Sequence, residues 1–268
     1  MPCLALMHEP GPWWPSTGEE LIELQRRLAG EAEAVLADQP WRPTPEGRPL
    51  VGGCFVAFAR GEAGPGQPGD RAFAAAVAWR AGGGSHRRSD QALRGTRRDA
   101  PRQAADVVAQ TVVDGRVPAA YAPGLLALRE GPILAAAVAA LDPAPDVVLV
   151  DATGTDHPRR AGLALHLGRA TRLPTVGVTR SPLVGSGPEP PLARGESSPV
   201  RIGDHIVGYW VCTRTGARPV LAHAAWRTSP ETAAAAVLLA STEAARTPVP
   251  LQEARRVARE ARDLSGLG

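Results

Sequence analysis

Asp151 stands where a carboxylate can do chemistry. It closes PDVVLV, a short β-branched run that reads as a buried strand, and opens the stretch DATGTDHPRRAGLALHLG, Asp151 to Gly168. A carboxylate at a strand exit has ordered backbone behind it and solvent in front. That position suits a metal ligand or a group that orients a substrate. A tight turn follows, then the polar pair Asp156 and His157, then Pro158 at a predicted helix start. Ala161, Leu163, Ala164 and Leu167 supply that helix's apolar face. The plainer alternative is an ordinary β-loop-α connection in which Asp151 acts as a cap.

A second segment, AYAPGLLALRE from Ala120 to Glu130, precedes the Asp151 strand by one helix. The order of these segments resembles endonuclease V, a family of nucleases that cut nucleic acid near deaminated purines. Its members carry a P-Y-I-P-G-x-L-x-x-R-E wedge, a strand ending V-D-G, a stretch ending H-P-R and a P-T-[IV]-G-V strand. Here these read AYAPGLLALRE, VDA, DHPRR and PTVGV. The resemblance extends from about Val51 to Trp226, with a weaker match in the first helix.

The resemblance implies a ribonuclease H-like fold and phosphodiester cleavage with Mg²⁺, an ion that hard oxygen ligands hold and that activates water. It also implies a centre with four contributors. Glu130 matches the family's glutamate and Asp151 its central aspartate. The first-strand aspartate belongs to G-x-D-V-x-F, here GCFVAF from Gly53 to Phe58, so its position is Phe55. The late histidine belongs to T-G-H-R-x-S, here AAWRTS from Ala224 to Ser229, so its position is Trp226. The family's active-site lysine is replaced by Arg180, and the residues after the central aspartate are Ala152 and Thr153. Phe and Trp cannot ligate Mg²⁺, and each aromatic side chain buries about 150–250 Å² of its own surface. The expectation is an incomplete metal site with no Mg²⁺, or weak Mg²⁺ at most. Two facing carboxylates without a cation cannot both ionise cheaply. One pKa then rises and an acid/base pair becomes available. The competing expectation is a structural ion network in which Arg180 or Arg159 pairs with Glu130 and Asp151.

Tyr121 matches the family's wedge tyrosine, a ring that can stack on a base or on another planar ligand. Pro123-Gly124 is kept beside it, while Ala120 and Ala122 replace a proline and an isoleucine. Tyr121, Pro123, Gly124, His157 and Arg159 are the implied substrate contacts.

At 268 residues the chain can bury a full core, and it reads as a single domain over 1–268. Every basic residue is Arg and the net charge is only +3. Arg forks suit phosphate, although Ala-, Arg-, Gly- and Pro-rich composition alone explains much of the bias. The absence of Lys excludes lysine Schiff-base chemistry. Cys3, Cys54 and Cys212 show no metal-ligand spacing and no paired framework, which suits a reducing cytoplasm. No apolar run is long enough to span a membrane.

Residues 1–15 read as an irregular Trp-rich arm. Ser16 with Glu19 resembles a capping box ahead of an amphipathic helix. Three strands follow, PLVGGCFVAFARG, RAFAAAVAWR and DVVAQTVVDG, the last two separated by a Gly/Arg-rich loop at 81–103. GLLALREGPILAAAVAAL is a helix, and Val147–Val150 and Pro174–Val178 are parallel strands. After a Pro/Gly loop at 181–200 come two strands, HIVGYWVCTR and RPVLAHA. The helix SPETAAAAVLLASTEAA and a charged terminal helix, LQEARRVARE, close the chain. Antiparallel strands followed by β-α units give an α/β, ribonuclease H-like mixed sheet flanked by helices. Three functions are open: recognition of deaminated-purine nucleic acid with weak or absent cleavage, a metal-independent enzyme acting on a small molecule as in secondary metabolism, or a non-catalytic subunit that meets a protein partner through the 81–103 loop or the Trp arm.

Overall fold

The computed structural model describes residues 13–43, 47–59, 66–82 and 106–266. Most of the predicted 81–103 loop and residues 1–12 of the arm lie outside them. Helix α1 (Gly18–Asp38) leads into β1 (Leu50–Phe58), β2 (Arg71–Arg80) and β3 (Val107–Arg116). Helix α2 (Leu126–Ala139), β4 (Val147–Val150), α3 (Leu163–Thr171) and β5 (Thr175–Thr179) follow. Then come β6 (Ser197–Ile202), β7 (His205–Val211), β8 (Val220–Ala224), α4 (Pro230–Leu239) and α5 (Val249–Leu264). The described strands all lie in one sheet of order β3-β2-β1-β4-β5-β8-β7-β6. β1, β4 and β5 run parallel and the other pairings are antiparallel. This is the ribonuclease H-like mixed sheet expected.

Period-two alternation divides each central strand between two helical layers. Val148 and Val150 face α1, α2 and α3, while Val147 and Leu149 face α4. With both faces covered, β4 needs an unbroken apolar run, which VVLV supplies. In β2, Ala72, Ala74, Ala76 and Ala78 point to the α2 side and Ala75 and Val77 to α5.

Local chemistry moves several boundaries. The capping box is Thr17 with Glu20, one residue later than Ser16 and Glu19. Pro132 sits inside an uninterrupted α2. Helix α3 begins at Leu163, not Pro158, because Arg160 closes a turn onto the His157 carbonyl with φ +59 and breaks the helical path. Its N-cap is Gly162, so Asp151 does not cap α3. The tail of the predicted 181–200 loop is β6, an edge strand where Pro199 is tolerated. Helix α4 stops at Leu239. Trp13 and Trp14 do not form a free arm: they stand against His166, and Trp14 fills the space over Gly131 of α2. Among the described residues no helix is long and apolar enough to cross a membrane.

Candidate functional site

Two adjoining clefts lie at the carboxyl ends of β4 and β5. The first is a cavity of about 270 Å³ whose walls include Cys54, Phe55, Glu130, Leu134 and Asp151. β1 and β4 are in register at Cys54 and Val150, which brings Phe55 level with Asp151. Glu130 reaches the same cavity from the first turns of α2. Its neighbour Arg129 turns inward instead, bonds Asp70 at 2.7 Å and stacks over Phe58 at 4.3 Å. The R-E pair therefore divides its work: Arg129 is a buried anchor and Glu130 faces the cleft.

Burial pushes the Glu130 carboxyl up to about 7; Arg129 opposes the rise and Asp151 adds to it. Burial first, then Asp151 and Glu130, push the Cys54 thiol upward as well, so it is a poor nucleophile. The partner of Asp151 is neither Arg180 nor Arg159. It is Arg255 of α5, whose Nη2 donates to Asp151 Oδ2 at 2.7 Å. The same guanidinium lies 4.9 Å from the centre of the Phe55 ring, and that of Arg259 lies 5.9 Å from it. Gly53 permits this. A Cβ there would sit 2.5 Å from the Pro250 carbonyl oxygen, so only glycine lets the first turn of α5 press onto β1.

Trp226 is not part of this centre. Its backbone bonds Thr175, the first residue of β5, which is paired with Val148. Asp151 lies three residues beyond Val148, just past the end of β4, about 10 Å at the rise of a strand. Trp226 is buried against Gly168 of α3, beside the amino end of β5 and away from the carboxyl ends where the clefts lie. Arg180 is exposed beyond β5. Its charge acts on Arg246, whose proton affinity is lowered first by burial and then by Arg180 and Arg218. Among the described residues no group of three or more His, Cys, Asp and Glu side chains is placed to hold a metal ion.

The second cleft, about 230 Å³, shares Leu126 with the first. Tyr121, Pro123, Gly124 and His157 line it, together with Gln25, Ala152, Thr153, Leu163 and Leu183. Tyr121 is 48% exposed and forms its lip. Gly124 has φ +74, the left-handed region that favours glycine, and its carbonyl accepts from Gln25 Nε2 at 2.9 Å and His157 Nε2 at 3.2 Å. His157 Nδ1 accepts the Arg159 N–H, so the Nε2–H tautomer is the one that satisfies both bonds. Burial holds the His157 pKa below its usual value, against the bond to Gly124 and with help from Arg159. Arg159 closes the ring of contacts on Gln25 Oε1 at 3.0 Å. On the far side, the buried Asp156 carboxylate takes the amide N–H groups of Leu183, Val184 and Gly185, which fixes that wall.

Tyr121, Pro123, Gly124 and His157 thus meet in one cleft with Arg159 behind them, and Glu130 and Asp151 meet in the next. Gln25, Leu183 and Arg255 were not anticipated. Gln25 carried a signal, a polar residue on the buried stripe Leu21, Gln25, Leu28 and Ala32.

The family model for endonuclease V matches residues 91–256. The endonuclease V of Streptomyces coelicolor is 36% identical over 248 residues, covering 92% of each chain. The crystal structure of endonuclease V from Streptomyces avermitilis superposes with a TM-score of 0.75 at 33% identity, covering 94% of this chain and 96% of that one. Endonuclease V of Ciona intestinalis, crystallised with a 24mer DNA containing an inosine followed by a ribo-adenosine, superposes at 0.68 with 20% identity, covering 94% of this chain and all of that one.

Proposed function

The chain belongs to the endonuclease V family, and from that premise we propose that it recognises nucleic acid carrying a deaminated purine and cleaves it weakly or not at all. The observation that carries this reading is the contrast between the two clefts. The cleft under Tyr121 has a rigid rim and room for a planar group, which an aromatic lip can stack. A relative with the same fold is known in complex with inosine-containing DNA. The neighbouring cleft holds Phe55 where the family pattern has a carboxylate. Mg²⁺ demands near-ideal octahedral oxygen geometry. Phe55 offers no oxygen, and one oxygen of Asp151 is taken by Arg255. The residues present do not fit the ion.

Fluorescence anisotropy with single strands containing deoxyinosine or deoxyadenosine at one position tests the binding half. The expected result is tighter binding of the deoxyinosine strand. Nicking with Mg²⁺ should fall far below that of a relative with a complete carboxylate set. Equal affinity for both strands, or robust Mg²⁺-dependent nicking, overturns the reading.

The raised pKa of Glu130 beside Asp151 favours a second reading, a metal-independent acid/base enzyme acting on a small molecule. The pair Glu130→Gln and Asp151→Asn keeps shape and removes charge. It abolishes turnover on this second reading and leaves base discrimination intact on the first.

A further inference from the structure

Three features meet at one point. Asp151 is a carboxylate at the mouth of a cleft, next in the chain to Ala152 of the Tyr121 pocket. Arg255 stands on it at 2.7 Å and packs its guanidinium against Phe55 at 4.9 Å, with Arg259 on the same ring. Only one of the five guanidinium N–H donors is used on Asp151, Nε is buried with no hydrogen-bond partner among the described residues, and the side chain is 25% exposed. Phe55 and Arg255 act as a set. The ring removes an oxygen ligand and supplies a flat face for a guanidinium, and the guanidinium supplies the positive charge that Asp151 requires. Gly53 fixes α5 close enough for the reach.

We propose that Arg255 is the resident cation of this centre: its guanidinium stands beside Asp151 in place of a divalent ion and offers its remaining donors to a phosphodiester of the bound strand. The inference rests on the nucleic-acid reading above and adds how the backbone is held. A base under Tyr121 brings its flanking phosphate toward the adjoining cleft. An arginine fork matches two phosphate oxygens at once, where Mg²⁺ would need an octahedral shell. Binding to nucleic acid is then indifferent to chelators, in contrast to a centre assembled around an ion.

The test measures affinity for deoxyinosine and deoxyadenosine single strands in EDTA and in Mg²⁺, across a salt series, together with direct Mn²⁺ titration of the free protein. The wild-type chain should bind equally well in EDTA and Mg²⁺ and show no saturable Mn²⁺ site. Arg255→Gln should weaken binding roughly tenfold and lower the salt slope by about 0.7, one phosphate contact on a single strand. Arg255→Lys should keep the slope and lose part of the affinity, since it keeps charge without the fork. Phe55→Asp with Arg255→Asp should gain one-to-one Mn²⁺ binding. Three results overturn the proposal: wild-type binding that collapses in EDTA, a one-to-one Mn²⁺ isotherm for the wild type, or a folded Arg255→Gln whose affinity and salt slope are unchanged. The wild-type measurements stand even if a variant fails to fold. Binding that ignores EDTA and depends on Arg255 but shows no preference for deoxyinosine refutes lesion recognition alone and leaves the cation assignment in place.

Discussion

Replacing Glu130 by Gln should stabilise this protein at neutral and alkaline pH and do nothing at pH 4. The carboxyl moves from an ordinary 4.5 to about 7, first because it is buried, with Arg129 opposing and Asp151 adding. A carboxyl whose folded pKa is raised binds its proton more tightly in the folded chain than in the unfolded one. Its contribution is therefore fully present below pH 4.5 and is lost as pH rises through 7. At ~1.4 kcal/mol per pH unit, ionising Glu130 in place costs the folded state ~3 kcal/mol once pH exceeds 7. Gln fills the same space and never ionises. Urea unfolding of the wild type and Glu130→Gln from pH 4 to pH 8.5 reads the effect, with the difference in stability opening between pH 4.5 and 7.5. Taking the difference cancels the buried histidines, His166 and His223, which burial holds near 3 and 4 and which titrate alike in both proteins. Asp151→Asn removes the like charge and should shift the midpoint of the wild-type curve downward. A stability difference that stays flat across this range refutes the argument, and so does a variant less stable at pH 8.

Three further outcomes follow from where the aromatics sit. Tyr121→Ala should cost ~1–3 kcal/mol of strand affinity, on deoxyinosine and deoxyadenosine strands alike, while leaving the urea midpoint unchanged, because the ring is 48% exposed; unaltered affinity would remove Tyr121 from the reading. Trp226→Ala should destabilise by ~3–5 kcal/mol through the void it leaves and leave strand affinity intact in whatever remains folded. Trp226→His combined with Phe55→Asp should not gain Mn²⁺ binding, and a gain would mean that Trp226 reaches Asp151 after all.

The parallel pair β4 and β5 was legible in the sequence because strands covered on both faces must be continuously apolar, as VVLV and TVGVT are. Asp151 was legible at its strand exit, whereas Glu130, in α2, and the set Tyr121, Pro123, Gly124 and His157 were picked out by the order of motifs that resembles endonuclease V; the structure brings the two carboxylates to one cleft and the set to the next. Arg255 was not. It lies 104 residues from Asp151, and its meaning depends on how closely α5 rides over Gly53. Within its own segment it is one charge in an amphipathic helix. Trp226 shows the opposite failure. A motif match specifies a residue type, but the level at which that residue meets the sheet depends on register, and register sets Trp226 beside Thr175. β6 was hidden because an edge strand with one side in solvent can be as polar as a loop.

The carbonyl oxygen of Gly124 receives two donors, one from the first helix and one from the loop after β4. Three distant stretches of chain thus converge on a single atom, and the rim they form is already ordered before anything enters. Little flexibility remains to be lost on association, so the entropic penalty falls on the ligand instead of on the protein. Calorimetry of strand binding should then show a heat-capacity change set by the apolar area covered, with no added contribution from loop folding. A strand in which the base is already unpaired would be held more tightly than the same lesion inside a duplex, because unstacking is the main ordering cost that the free protein has not met in advance.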